Sequence, residues 1–218
     1  MSEYMTSLQV RTVEPASPPL GKADWIGQAL DFLVREGIDA VQITRLAKAL
    51  DVSRGSFYWH FSDRQNLLES MLAEWRAANL PVIERELSGA SSLSEGVLAF
   101  FAIWETNDQF SAELDHAVRD WAKLDAEILE LVRTEDAQRI SAIAEMFVRF
   151  GFAREEAMVR ARVLYFAQVG YHAMNVGDSM AERLNMLEHY YLSFTGQVID
   201  PEAAEAFRVK MGSKNVTA

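Results

Sequence analysis

The sequence predicts an all-α protein, an N-terminal three-helix helix-turn-helix unit followed by a larger helical part, with about nine helices in total. Three observations carry this. Apolar residues recur three and four apart through most of the chain, as one face of a helix requires. Two short stripes of that kind, Ile43 to Leu50 and the stretch from Arg54, are separated only by Asp51, Val52 and Ser53, which leaves room for a tight turn and little else. With 50% hydrophobic and 24% charged residues over 218 positions, the chain can bury its own core without covalent staples.

The first twenty residues, with Glu14 to Pro19 reading EPASPP, have turn-rich composition and no periodicity, so a flexible arm is expected over 1–20. From Lys22 the helical period sets in, with Ile26, Ala29, Leu30, Leu33 and Val34 on one face and Gly37 suited to end the helix. Ile43, Leu46, Ala47 and Leu50 give the second helix in two turns. Asp51 stands where a left-handed turn residue is needed, and Ser53 is placed to cap the third helix. Ser62 and Gln65 then have the spacing of a capping box at the start of a long fourth helix, which the pattern carries to the neighbourhood of Leu87–Ser92. Further helices follow over Leu93–Trp104, Asp108–Asp125, 126–150 closed by Gly151, Glu155–Asn175 and Ser179–Gly196.

The third helix is the informative one. Phe57 and Phe61 are four apart and share a face, so they can pack on the first two helices. Arg54, Ser56, Tyr58, Trp59 and His60 are then left on the other side. A purely structural helix rarely displays Tyr, Trp and His there, whereas one lying in a DNA groove can use them against phosphates, sugars and thymine methyls. The net charge of −11 argues against nucleic acid at face value, but its distribution does not. From Arg11 to Ser70 seven basic residues face eight acidic ones, and most of the negative charge lies beyond Met71. Arg45, Lys48, Arg54 and Arg64 can thus give the N-terminal unit a local positive face.

The stretch Gly37 to Leu72, GIDAVQITRLAKALDVSRGSFYWHFSDRQNLLESML, resembles the DNA-binding region of TetR-family transcriptional regulators. Its FYWHF core, Arg64 and the Leu67–Leu68 pair carry the likeness. The family pattern is departed from in three ways: Gln42 and Ile43 stand where threonines are frequent, Asp51 replaces a turn glycine, and Arg64 replaces a lysine. The resemblance implies that Arg54, Gly55 and Ser56 face base edges and that Tyr58, Trp59, His60 and Arg64 hold the phosphate backbone. Thr44 and Arg45 would assist from the second helix, where Gln42 can also hydrogen-bond. It implies a homodimer on a palindromic double-stranded operator, a small-molecule effector that releases a repressor, and domains over 21–68 and 69–199 with a tail over 200–218.

In the larger part, Val159, Val163, Phe166 and Gly170 mark one stripe of the eighth helix and Ala161, Leu164, Gln168 and Tyr171 another. Two stripes on one helix call for something further to bury against. The resemblance implies a dimer through the last two helices, with Val163, Phe166, Gly170, Leu184, Leu187, Tyr191 and Phe194 as its candidate interface. The alternative is that both stripes serve a single protomer's core. Regulators of this kind hold their effector among helices four to eight, which makes Trp75, Phe101, Trp104, His116, Trp121, Met146 and Phe147 the candidate pocket walls for an apolar or aromatic ligand.

Other readings have less to stand on. His116 with Glu113 and Asp120 has a spacing that could hold a metal, but acidic residues around one histidine are usually a solvated face, so no metal is expected. The chain lacks cysteine, which rules out thiolate sites and disulfides, and no nucleophile elbow, P-loop, dinucleotide turn or H-E-x-x-H is present. No enzyme activity and no cofactor are expected. No apolar run approaches the ~20 residues of a membrane span, and a cytoplasmic location is the default. A helix-turn-helix that grips a protein instead of DNA remains the third class, against which the Arg45, Arg54 and Arg64 cluster counts.

Overall fold

The computed structural model describes residues 20–105 and 110–214, without the side chains of 213 and 214. The expected arm thus lies outside the described residues except for Leu20. The fold is all-helical: among the described residues the secondary structure is helix and turn throughout, with no strand.

The N-terminal unit comprises α1 (Lys22–Glu36), α2 (Ile43–Ala49), α3 (Arg54–Phe57) and α4 (Arg64–Ala77). Gly37 closes α1 at φ 84, and its N–H donates to the Leu33 carbonyl at 3.0 Å. Asp51 makes the α2–α3 turn at φ 54, the left-handed conformation that its short polar side chain tolerates. Two capping expectations need correction. Ser53 occupies the cap position of α3 without a side-chain bond, and the cap of α4 is Asp63, one residue later than expected, whose Oδ1 accepts from the Asn66 N–H at 2.9 Å. The carboxylate is the stronger acceptor at a helix N-terminus.

The expected fourth helix is two, α4 and α5 (Leu80–Gly89). Pro81, within the first turn of α5, has no N–H to donate and its ring would clash one turn back in a continuous helix, so the chain breaks at Asn79. Asn79 is buried at the break and its side-chain amide donates to the Trp75 carbonyl. There follow α6 (Leu93–Glu105), α7 (Ala112–Ala122), α8 (Ala126–Arg149) and α9 (Arg154–Ala173). The expected ninth helix is again two, α10 (Met180–Asn185), opened by a Ser179–Glu182 capping box, and α11 (Leu187–Thr195), closed by left-handed Gly196.

Residues expected as a tail contain α12 (Pro201–Lys214). Its Ala204, Phe207 and Met211, three and four apart, bury against α6, and the Asp200 carboxylate accepts from the Glu202 N–H at 2.9 Å. That spacing was readable, but it is the only apolar signal in a polar stretch.

Two buried clusters fill the molecule. One gathers α5, α6, the second half of α8, α9, α11 and α12. The other combines the N-terminal helices, around Trp25, Leu46, Phe57, Phe61 and Leu67, with Trp75 of α4, Val118 and Trp121 of α7, and Ile128 and Val132 of α8. Trp75 and Trp121, expected as pocket walls, are therefore the joint between the two parts of the chain.

Candidate nucleic-acid interface

What α3 shows to solvent follows from what it buries. The Phe57 ring is fully buried, meets Trp25 edge-on at 5.3 Å and stacks on Phe61 at 5.1 Å. Those two anchors lock the rotation of the short helix, much as large aromatic payloads fix any small element. On the opposite side Tyr58 is 54% and Trp59 87% exposed, with Arg54 and Gly55 also exposed and Ser56 and His60 half-buried. Leaving an indole in water is unfavourable by its full transfer free energy, roughly 2 kcal/mol or more, so its presence calls for a partner.

Gln42, Thr44 and Arg45 lie exposed at the start of α2. Gln42 donates from Nε2 to the Asp39 carbonyl at 2.9 Å, and Arg45 pairs with Glu36 at 2.8 Å and lies 5.0 Å from the Phe32 ring centroid. Much of the charge of Arg45 is thereby met within the chain. Arg54 and Lys48 have no such pairing among the described residues.

Arg64 departs most from its expected role. Its Nε donates to the Val41 carbonyl at 2.7 Å and its Nη2 to the Ile38 carbonyl at 3.1 Å. These carbonyls flank the short turn of 3-10 helix Ile38–Ala40 that leads into α2. The planar guanidinium spans both, which an ammonium could not do with the same geometry. Arg64 is thus a half-buried clamp between α4 and the entry to α2, with two of its five donors committed to backbone carbonyls.

The remaining expected sites are dispersed. Phe101, Trp104, Met146 and Phe147 are buried between α6 and α8 or α9, and Trp104 stacks on His172 at 5.1 Å. His116 is half-buried in a shallow groove that it shares with Val34, Gly37, Glu113 and Asp120. A separate cavity of about 80 Å³ lies among α6, α9, α10 and α11; of the seven expected pocket residues only Phe101 lines it. Of the expected interface residues, Val163 and Phe166 are each 50% exposed, whereas Leu187, Tyr191 and Phe194 are buried within the protomer and Gly170 and Leu184 are intermediate. On α9 Val159, Val163 and Phe166, four and three apart, form an open apolar stripe, and on the neighbouring α11 Tyr190 and Leu192 are also exposed.

A buried polar network that sequence reading missed joins the two parts. Asp115 of α7, 1% exposed, accepts from Trp75 Nε1 at 3.1 Å and from fully buried Arg139 of α8 at 2.9 Å, and also pairs with Arg119 at 2.8 Å. Arg119 donates to both oxygens of Asp136, and the Tyr165 hydroxyl of α9 donates to Asp136 at 2.7 Å. Burial alone would push the Asp115 carboxyl up, but Arg139 and Arg119 outweigh it and hold the group below its ordinary range. Burial pushes the Tyr165 phenol up. Among the described residues no group of three or more His, Asp or Glu is placed to hold a metal ion, and no helix is long and apolar enough to cross a membrane.

Residues 26–71 match the family model described as bacterial regulatory proteins, tetR family. The tetracycline repressor protein class A from transposon 1721 of Escherichia coli is 31% identical over 105 residues, 44% of this chain and 43% of that protein. The tetracycline repressor protein class G of Vibrio anguillarum is 33% identical over 85 residues, 37% of this chain and 40% of that one. The chain thus spans less than half the length of these curated relatives. A transcriptional regulator from Rhodococcus sp. Rha1 shares the fold, with a TM-score of 0.57 at 17% identity over 89% of this chain and 95% of that one. The likeness to the tetR family of bacterial regulatory proteins thus lies in residues 26–71, within α1–α4, and the all-helical fold around them is shared with the Rhodococcus regulator.

Proposed function

We propose that this protein is a sequence-specific DNA-binding transcriptional regulator of the cytoplasm, a homodimer that represses from a palindromic operator and is released by a small molecule. The observation that carries the reading is Trp59, almost fully exposed beside Tyr58 in the turn into which the expected third helix passes after Phe57, with exposed Arg54 at the helix start and Phe57 pinning its buried side. An indole, a phenol and an unpaired guanidinium on one rigid edge match the sugar, phosphate and base-edge chemistry of a major groove.

In this reading residues 21–68 bind DNA and 69–199 regulate. Arg54 reads bases, with Gly55 allowing close approach and Ser56 beside it, while Tyr58, Trp59 and His60 hold the backbone with help from Gln42 and Thr44. Arg45 and Arg64 position the helices that display them. The exposed face of α9 and α11 pairs with its copy, which gives the two α3 edges the two-fold relation of operator half-sites. The curated relatives are named as repressors, which favours repression over activation.

Release follows from the connections of α4. Trp75 and Arg76, near its end, bond Asp115 of α7 and Glu135 of α8, the latter at 2.6 Å. A ligand that prefers one placement of α7 and α8, whether it touches them or the α9 packed on both, thereby biases the spacing of the two α3 edges, and it acts only through its differential affinity for the two spacings. The test is selection of duplexes from a randomised pool by the purified protein at moderate salt. An inverted repeat with half-sites one helical turn or its multiple apart is the expected outcome, and a retained pool without a motif would overturn the reading.

A further inference from the structure

The cavity among α6, α9, α10 and α11 has a mixed wall. Its floor consists of Phe101, Gln168, Leu187 and Phe194, all buried. Only one of these is polar. Gln168 is 7% exposed, and its Oε1 has no hydrogen-bond partner among the described residues; the same holds for the Tyr171 hydroxyl, which is set higher on the wall under Arg183. A side-chain amide kept from water with an unmet acceptor is destabilising, and a chain carries it where something else satisfies it. The neighbouring charges are already met: Arg183 of α10 pairs with Glu105 of α6 and lies 4.4 Å over the Tyr171 ring. The wall therefore has no net charge to offer.

From these features we infer that this cavity is the effector site, and that it takes a neutral, compact, mainly apolar molecule with one hydroxyl directed at Gln168. The inference rests on reading the chain as a ligand-released regulator. The enclosed space, about 80 Å³, suits a single polar head with the adjoining part of a ring, the rest of which lies toward the half-exposed Tyr190 at the mouth. The placement also gives the ligand a lever. Leu187, Phe194 and Tyr190 belong to α11, and Gln168 lies on the buried side of α9, two residues from outward-facing Phe166, so an occupant contacts from inside both helices that carry the exposed apolar residues.

The experiment compares phenol with toluene, which has the same shape and lacks the donor, by titration calorimetry on the full chain. Phenol is expected to bind about tenfold more tightly, the worth of one satisfied buried hydrogen bond. Gln168→Met, checked for an unchanged melting temperature, is expected to bring the ratio close to one. Equal binding of the two probes by the unaltered chain, binding of neither, or a phenol preference that survives in Gln168→Met would each overturn the assignment. Retention of the selected operator by the ligand-free protein is measured separately. Operator retention without phenol binding removes the effector site and leaves the regulator, whereas phenol binding without operator retention supports the site and removes its regulatory role.

Discussion

Trp75 Nε1 and Asp115 Oδ1 stand 3.1 Å apart, a buried hydrogen bond that ties the last helix of the N-terminal unit to α7 of the larger helical part. Arg139 completes the arrangement, donating to the same oxygen with its guanidinium 5.0 Å from the Trp75 ring centroid. Removing Arg139 would strand a buried carboxylate. Arg139→Leu is expected to cost about 3–5 kcal/mol, roughly 6–20 °C in melting temperature for a chain of this size. Asp115→Asn combined with Arg139→Leu should cost less than the sum of the two single changes, and additive losses in thermal melts would show the pair to be uncoupled.

Acid sensitivity follows from the histidines. Burial lowers the pKa of both His116 and His172 below the ordinary 6.5. A depressed folded value means that the unfolded chain takes up protons first as pH falls, so stability is full above 6.5 and declines below it. Melting temperature should therefore drop between pH 7 and pH 5, and the decline should be shallower in a His116→Asn, His172→Asn double variant. Asp115 acts in the same direction at lower pH, its stabilisation being lost only below its ordinary 3.8.

The exposed and buried sides of α3 and the turn that follows it should separate in mutagenesis. Trp59→Ala is expected to weaken binding to all duplexes with little change in stability, because the ring is almost wholly in solvent. Arg54→Ala should relax sequence preference, a direct arginine contact with guanine being worth about 1–3 kcal/mol of discrimination. Phe57→Ala, by contrast, should cost about 3–5 kcal/mol of folding stability. Equilibrium binding to selected and random duplexes, alongside chemical denaturation, reads all three.

Arg64→Lys keeps the charge and loses the two-carbonyl clamp. If the clamp is what matters, this variant binds selected DNA several-fold more weakly and amide exchange speeds up around Ile38–Val41. Unchanged exchange there, with a lower salt dependence of binding, would return Arg64 to the phosphate backbone.

Phe166→Asp places a charge in the middle of the open apolar face of α9. Sedimentation should then find a monomer, and operator affinity should fall by more than any single DNA-contact change, since two half-sites are no longer held together.

The N-terminal unit was legible because its signals are local: apolar spacing within α1 and α2, a left-handed Asp51, a Gly37 terminus and a Phe57–Phe61 pair one helical turn apart. Breaks within the long helical stretches were less so. Pro81 was visible but sits in an apolar pattern that reads through it, and Met186 divides α10 from α11 with no marked residue at all. The partners of Arg64 are backbone carbonyls 23 and 26 residues away, which no sequence feature announces. The same holds for Asp115, whose neighbours on the helix gave it the look of a solvated face. Gln168 was different, since a lone amide in the stripe Ala161, Leu164, Gln168 and Tyr171 was itself an anomaly, although only the fold shows the cavity it lines.

The hydrophobic cluster that runs from Trp25 and Phe57 through Trp75 to Trp121 and Ile128 has a bearing on modularity. Because α7 and α8 contribute to the core of the helix-turn-helix, cutting the chain after α4 would expose Trp75 and remove its buried partners. The reading head is therefore not a transplantable cassette. It unfolds and refolds with the helices packed on it, and recombination between relatives would have to carry the seam along α7 and α8 as well as α1–α4.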